Sequence, residues 1–243
     1  MRLINTSTLA LEEFINKVPK YAILSHTWGD GEVTFAEMMW EHSQDAIVGF
    51  AATSKPANLR DKAGYQKITS FCDVAKKDGF EWAWVDTCCI DKTSSAELSE
   101  AINSMYAWYA AAAVCYVYLV DVEPLPSEWH LEPDPAATAS FLASRWFLRG
   151  WTLQELLAPR YLEFFAQDWS RIGSNLGLET LVSAKTGIRI GVLQKEVSIS
   201  RCSAAERMSW AAPRQTTREE DTAYSLMGIF NVHMPLLYGE GKS

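Results

Sequence analysis

The chain has no C-x-x-C pair, no phosphate loop of Gly-x-x-x-x-Gly-Lys-Ser/Thr form, and no apolar run of the roughly 18 residues that would span a bilayer. The first absence argues against a zinc ribbon or a thioredoxin-like redox centre. The second disfavours a nucleotide-hydrolysing module, and the third predicts no membrane span. Cysteines are few and odd in number, Cys72, Cys88, Cys89, Cys115 and Cys202, and no signal-like apolar stretch opens the chain. A reduced cytoplasmic setting follows, with the adjacent Cys88 and Cys89 read as buried, inert thiols because their neighbours are apolar. The four histidines, His26, His42, His130 and His233, lack metal-ligand spacing, so no metal site is expected. Basic residues are also short: a net charge of −8 and a pI near 5.1 leave no surplus of Lys and Arg to track phosphates, and no nucleic-acid partner is expected.

What the sequence does have is aromatic weight, with ten tryptophans in 243 residues of which 48% are hydrophobic. That suffices for a full core and for flat stacking surfaces. The segment Ser144-Arg-Trp-Phe-Leu-Arg-Gly-Trp-Thr-Leu-Gln-Glu-Leu-Leu-Ala-Pro-Arg160 concentrates it. A helix over Trp151 to Ala158, stopped by Pro159, puts Trp151 and Glu155 one turn apart on one face. An acid then stands beside an aromatic surface, or the same carboxylate serves a core helix by pairing with Arg145 or Arg149.

Apolar runs punctuated by helical stripes set the order of the rest. Tyr21 to Ser25 reads as a buried strand opening into the Gly-rich turn His26-Thr-Trp-Gly-Asp-Gly31. In α/β sheets that edge binds ligands, which makes Ser25, His26, Trp28 and Asp30 candidate site residues. Residues 41 to 63 read as a loop or insertion. The stripe Ile68, Phe71, Cys72, Ala75 predicts a helix ending near Gly79. Phe80 to Val85 reads as a second strand, delivering Asp86 into a turn. Ser94-Ser-Ala-Glu97 has capping-box form and opens a helix that runs into a third strand, Val114 to Val120. Residues 123 to 140 read as a connector, and Tyr161 to Ala166 as a further strand. Residues 170 to 200 are ambiguous apart from a helix near Leu178 to Lys185. Ser203-Ala-Ala-Glu206 and Thr216-Thr-Arg-Glu219 are two more capping-box forms. Arg207, Trp210, Arg214, Glu220, Asp221 and Tyr224 beside them read as a structural clamp. The strand, helix, strand cadence predicts an α/β fold with a central parallel sheet flanked by helices.

Four blocks carry a resemblance. Tyr21-Ala-Ile-Leu-Ser-His-Thr-Trp-Gly29, Val85-Asp-Thr-Cys-Cys-Ile-Asp-Lys92, the segment Ser144 to Pro159, and Arg218 to Phe230 with Met234-Pro-Leu-Leu-Tyr-Gly-Glu-Gly241 resemble, in order, the signature blocks of the heterokaryon incompatibility (HET) domain of filamentous fungi. The resemblance implies one domain over 1–243 and a role as cell-death effector in non-self recognition. It also implies self-association on activation and an upstream receptor or fused sensor module. A remoter likeness is to TIR domains, whose Ser-x-Trp-Cys-x-x-Glu-Leu segment carries a glutamate required for cleaving NAD. Trp151, Glu155 and Leu156 match its tryptophan, glutamate and leucine, while Thr152 departs from its cysteine. This implies a TIR-like, flavodoxin-like core over roughly 18–166, with a mainly helical extension over roughly 167–243.

The chemistry can be reasoned from the residues. Cleaving the bond between nicotinamide and ribose requires support for an oxocarbenium-like sugar, and one fixed carboxylate can supply it because nicotinamide leaves neutral. Glu155 is the candidate catalytic residue. Trp151 or Trp28 offers a face to the base, and Ser25 with the 26–31 loop lines the pocket. Asp86 either orients the site or caps a turn. NAD is thus a candidate substrate, with no bound cofactor expected. The alternative is a non-enzymatic adaptor working by homotypic assembly, with Glu155 a salt-bridge partner.

Overall fold

The computed structural model describes residues 1–42, 58–126, 129 and 134–239. Most of the insertion expected over 41–63 and part of the 123–140 connector lie outside them. The chain divides into two compact units, Met1–Leu24 with Trp28–Ala101, and Ser25–Thr27 with Ile102–Ser243.

In the first unit β1 (Arg2–Asn5) and β2 (Leu11–Glu13) form an antiparallel hairpin. Next comes β3 (Tyr21–His26), buried at all six positions; its last two residues, with Thr27, are assigned to the second unit. α1 (Phe35–His42), α2 (Ala63–Lys77), β4 (Trp82–Trp84) and α3 (Asp86–Cys89) follow. The strands run in the order β2-β1-β4-β3. β3 pairs parallel with β4, Tyr21 opposite Trp82 and Ile23 opposite Trp84, while β1 lies antiparallel on the other side of β4. The helix predicted from the apolar stripe is α2, with Ile68, Phe71, Cys72 and Ala75 all buried. Lys76 and Lys77 occupy its last turn, and Gly79 follows at φ 86°. Gly64 lets the start of α2 approach the 31–33 backbone, where a Cβ would meet the Gly31 carbonyl oxygen at 2.6 Å. The turn expected after the second strand is instead the single helical turn α3, closed by the Cys89 amide on the Val85 carbonyl at 2.9 Å. The boundary between the units falls inside α4 (Ser95–Ala111), whose predicted cap is present in half: the Glu97 amide donates to Ser94 Oγ at 3.3 Å, while Glu97 Oε1 accepts from the Asp91 amide.

The second unit carries β5 (Val114–Tyr118), α5 (Pro135–Ala143), α6 (Thr152–Leu157), β6 (Leu162–Phe165) and β7 (Arg171–Ser174). β5, five buried residues of which four are β-branched or aromatic, pairs parallel with β6, Cys115 opposite Leu162 and Tyr118 opposite Phe165. β7 closes antiparallel on β6 across a bulge at Phe164 and Phe165. The short helices α7 (Glu179–Thr186), α8 (Ile190–Leu193), α9 (Ala204–Ala211), α10 (Asp221–Tyr224) and α11 (Met227–Phe230) complete it. Two expectations need correction. The 123–140 connector contains the start of α5, because Asp134 Oδ1 caps the Ala136 and Ala137 amides and Pro135 is well suited to the first helical turn. Thr216 caps no helix: its hydroxyl goes to the Arg218 carbonyl at 2.7 Å, and helix resumes only at Asp221. Ser203 does cap α9, accepting from the Glu206 amide at 3.1 Å. Parallel pairs β3–β4 and β5–β6 with helices in the intervening chain make the fold α/β, as the sequence cadence predicts. The antiparallel β1, β2 and β7 make its pairing mixed.

Candidate functional site

α6 is short and buried at every one of its six positions. Such a helix cannot be stabilised by propensity alone, and its ends are held from outside. The Thr152 hydroxyl lies 2.6 Å from the Trp146 carbonyl and 2.8 Å from that of Arg149. Arg214 Nη1 reaches the Arg149 carbonyl at 3.0 Å and Thr152 Oγ1 at 2.9 Å. The Gly150 amide donates to the Gln215 carbonyl at 2.7 Å, and the Gln215 amide to that of Leu148 at 2.6 Å. This approach requires glycine at 150, since a Cβ there would sit 2.5 Å from Thr216 Cγ2.

The helix delivers Glu155, only 7% exposed, onto the end of β3. Ser25 Oγ donates to Glu155 Oε2 at 2.5 Å and accepts from Trp146 Nε1 at 2.8 Å. Ser25 and Trp146 are fully buried, so the three form a directional chain in which the indole leaves the serine proton pointing at the carboxylate. Arg214 supplies a nearby positive charge. Burial lowers its guanidinium to about 10, against the upward pull of Glu155. Its Nη2 has no hydrogen-bond partner among the described residues. Cys115 on β5 lies close behind, its thiol pushed well up by burial and then by the Glu155 charge. Lys195 donates to the Leu157 carbonyl at 2.6 Å at the far end of α6, and burial lowers it to about 8.

The residues named from sequence fall into both units. In the second unit, Ser25 and Glu155 are in direct contact, His26 is buried at the strand end, and Trp151 occupies the N-cap of α6, one turn before Glu155. In the first unit, Trp28 Nε1 donates to Asp86 Oδ2 at 2.9 Å. Lys92 Nζ stands 3.7 Å from the centroid of the Trp28 ring and 3.7 Å from the Asp86 carboxylate. Trp28 is thus held in place while 45% exposed, and Asp30 is exposed. Sequence reasoning did not anticipate Trp146 as the partner of Ser25. Arg214 is named from sequence only as one of a clamp, yet it is the cation that faces the Glu155 carboxylate, in place of Arg145 or Arg149.

Residues 21–128 match the family model described as heterokaryon incompatibility protein (HET). These residues carry the signature of that family. The chain is 47% identical over 228 residues, 93% of its length, to vegetative incompatibility protein HET-E-1 of Podospora anserina, and spans 15% of that relative. No solved structure matches it. No helix among the described residues is long and apolar enough to cross a membrane.

Proposed function

We propose that this chain is a cell-death effector domain of fungal non-self recognition, and that it acts by cleaving NAD at the bond between nicotinamide and ribose. The observation that carries the reading is the contact between Ser25 and Glu155, which brings the outgoing end of a parallel strand against the one acid singled out by likeness to TIR domains. In this reading the Ser25 hydroxyl rests on Glu155 Oε2 as a ribose hydroxyl would. Substrate takes over that place, and the carboxylate stabilises the positive charge as the C1′–N bond breaks. Nicotinamide leaves neutral, water adds its oxygen to C1′ and one proton is released. Trp151 lies one turn away to face the base. The relative's much greater length supports a fused sensor module, with self-association assembling the active form in the cytoplasm.

A second reading has its own observation. Glu155 is nearly buried and opposed by Arg214, as a structural ion pair in a non-enzymatic assembly module would be. Following nicotinamide release from NAD separates the two. Glu155→Gln should lower the rate about a hundredfold or more, on the order of 3 kcal/mol of transition-state stabilisation. Undiminished cleavage by the variant, or none by clustered wild type, would leave the assembly reading.

A further inference from the structure

Arg145 is an exposed cation of the segment that builds the site, next to Trp146, and the proposed reaction leaves it without a role. Two anchors fix it. Its amide donates to Asp121 Oδ2 at 2.8 Å, and its Nε donates to Thr27 Oγ1 at 3.2 Å. The neighbouring Ser144 hydroxyl occupies Asp121 Oδ1 at 2.7 Å, so both carboxylate oxygens are engaged by groups other than the guanidinium. Arg145 Nη1 and Nη2 have no hydrogen-bond partner among the described residues, and the residue is exposed. Arg145 and Trp146 therefore grip the same strand end, the indole on Ser25 and the guanidinium on Thr27. Thr27 follows the end of β3 two residues after Ser25, and Arg145 adjoins Trp146, so the guanidinium stands beside the contact that holds the partner of Glu155.

We propose that Arg145 binds a phosphate of the substrate, making the site selective for nucleotides over nucleosides. This rests on the hydrolase reading. A ribose held at Glu155 carries its 5′-oxygen away from the glycosidic bond, and a phosphate there meets a guanidinium that keeps two donor nitrogens turned to solvent. The planar fork suits phosphate oxygens, and its Nε anchor removes rotamer freedom before the ligand arrives. Arg214, by contrast, spends Nε and Nη1 on backbone and Thr152, and its remaining Nη2 is buried where Arg145 is exposed.

The test compares NAD with nicotinamide riboside, which has the same glycosidic bond and no phosphate. Wild-type kcat/KM should favour NAD, and Arg145→Ala should shrink the NAD-to-riboside ratio about thirtyfold, with partial recovery in Arg145→Lys. A binding arm needs no turnover: ADP-ribose is titrated calorimetrically into Glu155→Gln with and without Arg145→Ala, and affinity should fall by a similar factor. An unchanged ratio with active enzyme overturns the role of Arg145 and leaves that of Glu155. ADP-ribose binding that depends on Arg145 in a protein that cleaves neither compound upholds the phosphate site and removes the hydrolase. Absence of both binding and cleavage overturns both.

Discussion

Replacing Ser25 by alanine deletes one oxygen and strands two buried groups. Trp146 Nε1 loses its acceptor at 2.8 Å and Glu155 Oε2 loses a donor, in a place where both Ser25 and Trp146 have no exposure to water. An orphaned buried N–H costs about 1–3 kcal/mol, and a hydrogen bond to a charged group contributes about 1.5–3 kcal/mol, so Ser25→Ala should destabilise by about 3 kcal/mol. Trp146→Phe removes the donor itself. It carries a cavity cost of about 2 kcal/mol, but it leaves no indole N–H for a later Ser25→Ala to orphan. In that background the serine substitution should therefore cost at least about 1 kcal/mol less than in wild type. Urea titrations of the four proteins, read at constant m, give the cycle directly. Additivity within about 0.3 kcal/mol would refute the chain from Trp146 through Ser25 to Glu155, since groups that share a hydrogen-bond network do not act independently.

Two further outcomes test the surroundings of the site. Burial lowers Lys195 from an ordinary 10.5 to about 8, so between those values the unfolded chain holds a proton that the folded chain has lost. Stability must therefore rise with pH across that window, by on the order of 3 kcal/mol at full amplitude, and Lys195→Met should flatten the rise. Urea midpoints from pH 7 to 10.5 check it, and a wild type and variant of equal slope would count against the buried ammonium. Gly228 in α11 faces α4, where a Cβ would fall 2.2 Å from Tyr106 Cβ and 2.6 Å from its Cγ. Gly228→Ala should cost about 3 kcal/mol, because the clash is at the root of the tyrosine side chain where rotation gives no relief. An unshifted urea midpoint would show that the helices part without cost.

How much of this was legible in the sequence depends on the range of the forces involved. The helix of Ile68, Phe71, Cys72 and Ala75 announces itself because one stripe of apolar positions settles both its period and its buried face. The strands at Tyr21 and Val114 are continuous apolar runs, as strands covered on both faces must be. The hairpin of β1 and β2 carries no such signal. β2 is three residues long, its two glutamates are exposed, and nothing local distinguishes it from loop. The Thr216 box fails for a related reason: the hydroxyl satisfies the Arg218 carbonyl and meets Thr222 Oγ1 at 2.9 Å, a choice made by the tertiary setting of Gln215. Ser25 can be named from sequence because it lies at the outgoing end of an apolar run, and Glu155 because it falls one helical turn after Trp151 and matches the glutamate of TIR domains. That Trp146 backs Ser25 and that the Arg214 charge stands near Glu155 depend on how segments far apart in sequence meet, which spacing does not encode.

The clamp on α6 shows why the site cannot reside in the matched block of residues 21–128 alone. That block supplies Ser25 but neither the acid nor what positions it. Glu155 hangs on a helix of six residues, too short to persist by its own hydrogen bonds. The segment before it, 148–150, is held by the backbone of Gln215, and its first turn by the Arg214 guanidinium. Burying a carboxylate without a compensating charge costs several kcal/mol, and Arg214, arriving sixty residues later in the chain, supplies that charge. The orientation of Glu155 toward Ser25 is thus a property of the last third of the sequence as much as of the segment that contains it. Whatever loosens the contacts of 214–216, whether a substitution there or an event at the chain's C-terminal side, acts on the acid without touching it.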